Sequence, residues 1–157
     1  MLESRPVNQD AFLPLLRELA HCYQTFESYS AANIRSLGLT PAQFDLIATL
    51  GNTAGMNFRE LGEKTLITKG TLTGVVDRLV AKGLARRVAS PTDGRSQTVQ
   101  LTEQGASLFA RVFPAHLAHL RPAFAEFRDS ELHQAQETLL RLRQALERAR
   151  SRPGSPA

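Results

Sequence analysis

Several features that would mark a membrane protein, a disulfide-rich protein or an enzyme are missing from this sequence of 157 residues. The one cysteine, Cys22, excludes an internal disulfide and a cysteine metal cluster. No apolar run reaches the ~18 residues that would predict a membrane span. The first ten residues lack the basic and apolar segments of a signal peptide, so we expect a cytoplasmic protein. Because no phosphate-cradling glycine loop, G-x-S-x-G or H-E-x-x-H motif occurs, neither an enzyme nor a cofactor is predicted.

The four histidines are scattered and do not form a convincing metal site. His116 and His119 are three residues apart, a spacing that can place two ligands on one face of a helix. No cysteine or carboxylate nearby completes a ligand set, although Glu126 lies in the same segment. The histidines are therefore predicted to be surface or dimer-contact residues, and no metal is expected.

The stretch from residue 56 to 102 carries the strongest pattern, two short helices followed by a β-hairpin. The first helix is predicted to start at the N-cap Asn57. Thr68 can cap a second helix over about Lys69 to Lys82, and Gly83 stops it. Strand-like runs at 84–88 and 97–101 then flank a stretch rich in turn residues. This layout is typical of a winged helix-turn-helix, in which the second helix enters the major groove of DNA and the hairpin, or wing, reaches beside it.

The predicted second helix has one apolar face and one face of small, hydroxyl-rich residues. The apolar face has the i, i+3, i+4, i+7 spacing of a buried stripe: Leu72, Val75, Val76 and Leu79. The opposite face includes Gly70, Thr73 and Gly74, and each glycine inside a helix costs roughly 1 kcal/mol relative to alanine. A face of small residues permits a close approach by another surface, such as the floor of a major groove. The helix by itself is equally compatible with a solvated face on which glycines are tolerated.

Positive charge is concentrated in the same stretch. Residues 56–102 hold eight lysines and arginines and four acids, an excess of four that equals the net charge of +4 of the whole chain. The remaining residues are therefore balanced. Binding to nucleic acid requires such a concentration of positive charge, whereas ordinary solubility does not. Arg95, two residues after Asp93, lies at the tip of the predicted wing.

Amphipathic helices are predicted before this stretch. A long helix with an apolar stripe runs from Asp10 to the stop at Gly38. A helix of this length at the start of a small domain usually needs more than its own domain to cover it. Thr40-Pro41 starts another helix, with a cap followed by proline at the first helical position, that ends near Leu50. Residues 1–9 are predicted to be frayed.

Two further helices are predicted after the wing. Thr102 caps a long one, in which Pro114 and Pro122 remove backbone donors. We therefore expect a bend near residues 110–114 and a break near residue 121. The final helix begins near Asp129-Ser130 and carries a leucine stripe. The tail SRPGSPA has the composition of a disordered segment.

In this order and spacing the chain resembles the MarR family, the multiple antibiotic resistance regulators. The resemblance is carried by the run from about Leu66 to Arg86, with its T-x-T pair and its Gly83-Leu84, and by Asp93-x-Arg95 and Leu101-Thr102. It covers about residues 10–148, nearly the whole chain.

The resemblance implies a mostly α fold with a small β-hairpin, a winged helix-turn-helix with N- and C-terminal dimerisation helices. A single domain would span residues 1–157, with a DNA-binding module at 40–102 and dimerisation helices at 10–38 and 103–148. The implied partners are a second copy of the chain and double-stranded DNA with an inverted-repeat operator. The residues expected to contact DNA are Thr68, Lys69, Gly70, Thr71, Thr73, Gly74, Arg78, Arg86, Arg87, Asp93 and Arg95.

The family also implies a small-molecule effector. Relatives bind phenolic or lipophilic anions between the DNA-binding module and the dimerisation helices. The residues here that would line such a pocket are Tyr23, Phe26, Tyr29, Phe44, Phe109 and Phe113. Since an aromatic stripe at helical spacing is also typical of plain core, the pocket comes from the resemblance and not from the pattern.

The sequence and the resemblance leave three functions open. The first is a dimeric transcriptional regulator that binds specific DNA sequences, a repressor released by a small-molecule ligand. The second is a winged-helix module for protein contact, which would not need the excess of positive charge. The third is a redox-sensing regulator that acts through Cys22, as in relatives that sense organic hydroperoxides. Cys22 lies on the edge of the apolar stripe and no second cysteine can resolve a sulfenic acid, so a packed, inert thiol is expected.

Overall fold

The computed structural model describes residues 10–90 and 92–152 of the chain. Its elements, in chain order, are α1 (Phe12–Ser36), α2 (Pro41–Leu50), β1 (Met56–Asn57), α3 (Phe58–Lys64), α4 (Lys69–Ala81), β2 (Ala85–Ala89), β3 (Gln97–Leu101), α5 (Glu103–Phe124) and α6 (Asp129–Arg150). The mostly α fold and the predicted order of helices and hairpin are confirmed. The expectations for residues 1–9 and for 153–157 of the tail lie outside the described residues.

The helix ends follow local sequence signals. At the start of α2, Thr40 Oγ1 accepts a hydrogen bond from the Gln43 N–H at 3.2 Å, and Gln43 Oε1 accepts one from the Thr40 N–H at 3.1 Å. This reciprocal pair satisfies two backbone donors that the helix itself leaves unpaired. After the ends of α1 and α4 the chain turns at Gly38 and Gly83. Their φ angles of 85° and 72° lie in the left-handed region, which glycine adopts at no steric cost.

The hairpin belongs to a three-stranded antiparallel sheet. The strand order is β1-β3-β2, so β3 lies in the middle. Val99 of β3 pairs with Met56 on one side and with Arg87 on the other. The short β1, which was not predicted, leads directly into α3, so the sheet fixes where α3 begins.

One core joins the helices of the winged module to this sheet. Its fully buried side chains come from α2, α3, α4, β3 and α5: Leu46, Ile47, Leu50, Leu61, Val76, Leu79, Val99 and Val112. The predicted apolar face of α4 is confirmed, since Leu72 and Val75 are buried together with Val76 and Leu79. The other face of α4 is largely exposed.

The helix α5 is longer and more continuous than predicted. Its first turn is capped as expected, with the Gly105 N–H donating to Thr102 Oγ1 at 3.1 Å. The expected break near residue 121 is wrong, because α5 continues to Phe124. Pro114 and Pro122 are both exposed, as are residues 110 and 118, whose carbonyls lose a helical partner and can bind water instead.

The chain divides into two compact units, one that ends at His119 and one that starts at Leu120. The second unit contains the end of α5 and the whole of α6. No residue of α6 is buried against the described part of the chain, and Leu139 and Leu146 are 51% and 54% exposed. None of the helices in the described ranges is long and apolar enough to cross a membrane.

Candidate nucleic-acid interface

Polar contacts at the start of α3 and in the turn between α3 and α4 hold these two helices in place. Asn57 Oδ1 accepts from the Glu60 N–H and Glu60 Oε2 accepts from the Asn57 N–H, both at 2.9 Å, which caps α3. In the turn, the Leu66 N–H donates to Asp45 Oδ2 at 2.8 Å and ties the turn to α2. Burial raises the pKa of the Asp45 carboxyl above its usual value, and the hydrogen bond from Leu66 opposes part of that rise.

The outer face of α4 presents small and hydroxyl-bearing groups. Its predicted DNA-contacting residues are exposed, apart from the half-buried Gly74: Thr68, Lys69, Gly70, Thr71, Thr73 and Arg78. A Cβ built on Gly70 or Gly74 would meet no atom within 4 Å. Neither glycine is therefore required by the packing of the described residues, and their cost in helix stability has no internal explanation.

Thr68 takes the N-cap position of α4 but does not cap it with its side chain. Its carbonyl accepts from the Thr71 and Leu72 N–H groups, each at 3.0 Å. Its hydroxyl instead lies 2.9 Å from the Thr71 hydroxyl. The predicted N-cap residue is confirmed, but the side-chain hydrogen bond typical of an N-cap is missing, because the Thr71 hydroxyl competes for the same oxygen. The two exposed hydroxyls form a polar pair at the start of α4.

The two arginines of β2 differ in what they contact. The Arg87 guanidinium donates to the Asp77 carboxylate and also lies over the Phe58 ring, 5.8 Å from its centroid. It therefore joins α4, β2 and α3 inside the module. Arg86, on the opposite face of the strand, donates from Nε to Gln100 Oε1 at 3.2 Å. Both were predicted to contact DNA, and Arg86 is the more exposed of the two.

The tip of the wing is folded by a set of short-range hydrogen bonds. Ser90 Oγ accepts from the Asp93 N–H at 3.3 Å, and the Ser96 N–H donates to the Asp93 carbonyl at 3.0 Å. Asp93 Oδ1 accepts from the backbone N–H of Arg95 at 3.0 Å. A carboxylate two residues upstream reaches this N–H in the geometry of an Asx turn. Asp93 therefore orders the backbone at Arg95 and forms no ion pair with the Arg95 guanidinium.

Most of the positive charge in the module is not neutralised within the protein. Among the described residues, only Arg59 and Arg87 of its eight basic side chains form ion pairs, with Glu63 and Asp77. The six others form no ion pair with any described residue: Lys64, Lys69, Arg78, Lys82, Arg86 and Arg95. These cations are available to neutralise phosphates.

The six aromatic residues proposed for an effector pocket fall into two groups. Four are connected by a chain of ring contacts through two histidines: Phe109, Phe113, Phe44 and Tyr29. The Phe109 ring fills the space over Gly51, where a Cβ would collide with it. Tyr23 and Phe26 stand apart on α1 and are 52% and 43% exposed.

The two histidines in this chain of rings were not predicted to be internal. His116 is 4% exposed and bonds to Ser30 Oγ at 3.1 Å and to Asn33 Oδ1 at 2.8 Å. Burial and, to a lesser extent, the neighbouring His119 lower the pKa of His116 below its usual value. The prediction of a surface or dimer-contact histidine is wrong for His116. Its position seven residues after Phe109 on the apolar stripe of α5 was the signal that could have placed it inside.

Other candidates for chemistry do not assemble into a site. No group of three or more histidines, cysteines and carboxylates in the described ranges could hold a metal ion. Cys22 is exposed on α1, so the expected packed thiol is not found in the protomer. Its position on a helix that exposes much of its apolar stripe explains the difference.

A helix-turn-helix with an outward-facing second helix, an ordered wing and unpaired cations defines a DNA-binding protein of the winged-helix class. The MarR family model matches residues 37–96. The HTH-type transcriptional regulator MhqR of Bacillus subtilis (strain 168) is 32% identical over 130 residues, which cover 83% of this chain and 90% of MhqR. The chain belongs to the MarR family and is a winged-helix transcription regulator, not an enzyme.

Two solved structures share the fold of this chain. AbsC, a MarR family transcriptional regulator from Streptomyces coelicolor, superposes with a TM-score of 0.80 at 21% identity, covering 91% of this chain and 99% of AbsC. A mutant MarR from E. coli, complexed with operator DNA, superposes with a TM-score of 0.72 at 25% identity, covering 85% of this chain and 98% of that one. The likeness to AbsC covers 91% of this chain, so the family fold includes helices outside the winged module.

Proposed function

We propose that the chain acts as a dimer that binds an inverted-repeat operator in double-stranded DNA and represses transcription until a small aromatic or phenolic molecule releases it. The observation that carries the proposal is the outer face of α4. Gly70 and Gly74 have open space where a Cβ would lie, although they weaken the helix. A surface that must approach the floor of a major groove accounts for both facts.

Different residues have different roles in this proposal. Thr71 and Thr73, exposed on α4, face base edges or nearby phosphates and set the choice of sequence. Arg95 enters the minor groove, where narrow A·T-rich stretches concentrate negative potential. Asp93 acts indirectly, because it orders the backbone from which the Arg95 side chain projects.

The dimer is supported by apolar side chains that the protomer leaves in solvent. Large hydrophobic residues on α1 and α6 are 40% to 54% exposed: Phe12, Leu15, Leu16, Tyr23, Phe26, Leu139, Leu140 and Leu146. Apolar surface of this extent on a small protein marks an interaction site. In the proposal, residues 10–38 and 103–148 form the interface between protomers, and residues 40–102 read DNA.

The effector site is supported by a polar atom without a partner. His119 Nε2 is buried and has no hydrogen-bond partner among the described residues. The His119 ring stacks on Tyr29 with centroids 4.2 Å apart, and the Tyr29 hydroxyl donates to the His119 carbonyl at 2.8 Å. A phenol or aromatic carboxylate could stack on these rings and bind the free nitrogen, because ligand sites combine apolar walls with a few polar groups.

The DNA-binding part is tested by selecting bound fragments from the source genome and titrating the enriched sequence. The purified dimer should prefer an inverted repeat over random duplex. If six to ten phosphates are contacted, affinity should fall by about 10³- to 10⁵-fold between about 50 and 200 mM salt. A flat salt dependence, or equal affinity for every sequence, would contradict the proposal. Transcription in vitro from a promoter that contains the selected site should fall when the protein is added.

The effector part is tested with a series of small phenols and aromatic carboxylates. A ligand that releases DNA must prefer the conformation that cannot bind it. Effector and operator should therefore weaken each other's binding by the same factor. A phenol that binds tightly without changing the operator affinity would overturn this part and leave the DNA-binding part standing.

A further inference from the structure

A surface depression lies where the start of α3 meets the base of the wing. It has a volume of about 480 Å³ and is lined by Asn57, Phe58, Arg59, Arg95, Ser96 and Gln97. Its two sides are connected by the sheet, because Asn57 pairs with Thr98 in the β1–β3 ladder. The relative position of the two sides is therefore set by backbone hydrogen bonds and not by flexible side chains alone.

Two guanidinium groups, one from each side, border the depression. Arg95 forms no ion pair with any described residue. Arg59 pairs with Glu63 at 3.3 Å, but the two side chains are 87% and 64% exposed, so water screens the pair strongly and a second anion can compete for Arg59. The nearby Glu60 is already engaged, since its carboxylate accepts from the Asn57 N–H.

The lining of the depression also contains an apolar surface. The Phe58 ring is half-buried, and the Arg87 guanidinium lies over it while pairing with Asp77 on α4. These contacts hold the ring in one place. Guanidinium groups recognise phosphate oxygens through charge-assisted hydrogen bonds. A ring beside them offers contact to a deoxyribose, so the lining matches one phosphodiester with its sugar.

We propose that this depression binds the DNA backbone, with Arg59 on the phosphate that borders the minor groove entered by Arg95 and with Phe58 against the adjacent sugar. The inference rests on the proposed DNA-binding function and assigns a role to Arg59, which lies outside α4 and the wing. A backbone contact at this point fixes the register of the module on the duplex but carries no sequence information. Glu63 is the internal anion that the phosphate displaces from Arg59.

The test compares three variants for binding to the selected operator and to a random duplex over a range of salt. Arg59→Gln should weaken both complexes by a similar factor of about ten and reduce the salt slope by about one. Glu63→Gln should strengthen both, because it removes the competing carboxylate. Arg150→Gln, which alters an exposed arginine at the end of α6 outside residues 10–148, serves as the matched control and should leave the slope unchanged.

The outcomes separate this inference from the proposed function. Wild-type affinity and slope in both Arg59→Gln and Glu63→Gln would overturn the backbone site while operator binding by the wild-type protein stands. A loss at Arg59→Gln confined to particular base substitutions would also overturn it, because the contact would then be to a base. If the wild-type protein bound no duplex at all, the proposed function itself would fail. Thermal unfolding of each variant verifies that a loss of binding is not a loss of fold.

Discussion

Replacing Gly74 by alanine should stabilise the protein and weaken its binding to DNA at the same time. Gly74 is the sixth of the 13 residues of α4, well inside the helix. Gly74 does not have a positive φ angle, so alanine can adopt its backbone conformation, and a Cβ at this position would meet no atom within 4 Å. Alanine should therefore recover most of the roughly 1 kcal/mol that glycine costs inside a helix. For a chain of this length that gain corresponds to a rise in Tm of about 2–4 °C.

The expected loss of affinity has a separate origin. If α4 lies against the floor of the major groove, the added methyl group occupies space that the bases fill. Overpacking a close contact by one methyl group costs about 1–3 kcal/mol, which is roughly a 5- to 150-fold rise in Kd. The same substitution therefore changes stability and function in opposite directions, which a general defect in folding cannot do.

Gly62→Ala provides the matched control. Gly62 is also a helical glycine with open space around its Cβ position, but it lies on α3. Both variants should unfold at a higher temperature than the wild type in calorimetry, whereas only Gly74→Ala should lose operator affinity. If Gly74→Ala is stabilised and binds the operator like the wild type, α4 does not contact DNA through a face of small residues. If Gly74→Ala is not stabilised, the added methyl group meets neighbouring atoms at this position.

Three other predictions concern the wing, the buried histidine and the last helix. Arg95→Ala should lower operator affinity without changing the thermal unfolding curve, and Asp93→Ala should produce a smaller loss because Asp93 only orders the Arg95 backbone. The pKa of His116 is lowered in the folded state, so the unfolded chain binds more protons as the pH falls below about 7. The free energy of unfolding in urea should therefore decrease from about pH 7.5 to 5.5, and by less in His116→Gln. Replacing Leu139 and Leu146 together by serine should shift the protein from dimer to monomer in sedimentation and weaken operator binding.

Each of these has a result that counts against it. Wild-type binding by Arg95→Ala would show that the wing does not contact DNA. An equal pH dependence in His116→Gln would mean that another group titrates in this range. If the double serine variant remained a dimer at low micromolar concentration, α6 would not belong to the interface between protomers.

Much of the fold could be predicted because the signals lie within a few residues of one another. Thr40-Pro41 marks the start of α2 through a cap and a fixed φ angle, and both act locally. The face of α4 that carries Leu72 and Leu79 follows from helical spacing alone. Such signals need no knowledge of what the element packs against.

The features that were missed depend on contacts between distant parts of the chain. A strand of two residues such as β1 shows no alternation, and only its pairing with Val99 defines it. The continuity of α5 through Pro122 depends on whether water can reach the carbonyl of residue 118, which loses its helical partner. Asp77 and Arg87 form an ion pair because the fold brings α4 against β2. Their separation in sequence does not indicate that they are in contact.

The candidate site was predictable in outline but not in its internal bonds. The exposed face of α4 could be located from sequence spacing because it lies opposite a buried stripe. The tip of the wing could be located because it lies between two strand-like runs. The hydrogen bond that Asp93 makes could not be predicted. A carboxylate two residues before Arg95 can reach either its guanidinium or its backbone N–H. Such local competition is decided by the conformation of the turn.

In the proposed function, two protomers read two half-sites on one face of the duplex. The most direct measurement is the affinity for the selected inverted repeat, compared with the same repeat lengthened by about five base pairs between the half-sites, which turns one half-site to the opposite face. A rigid two-fold dimer should bind the natural spacing with two protomers per duplex and the lengthened site little better than random DNA. Equal affinity for both sites, or one protomer per duplex, would contradict the account.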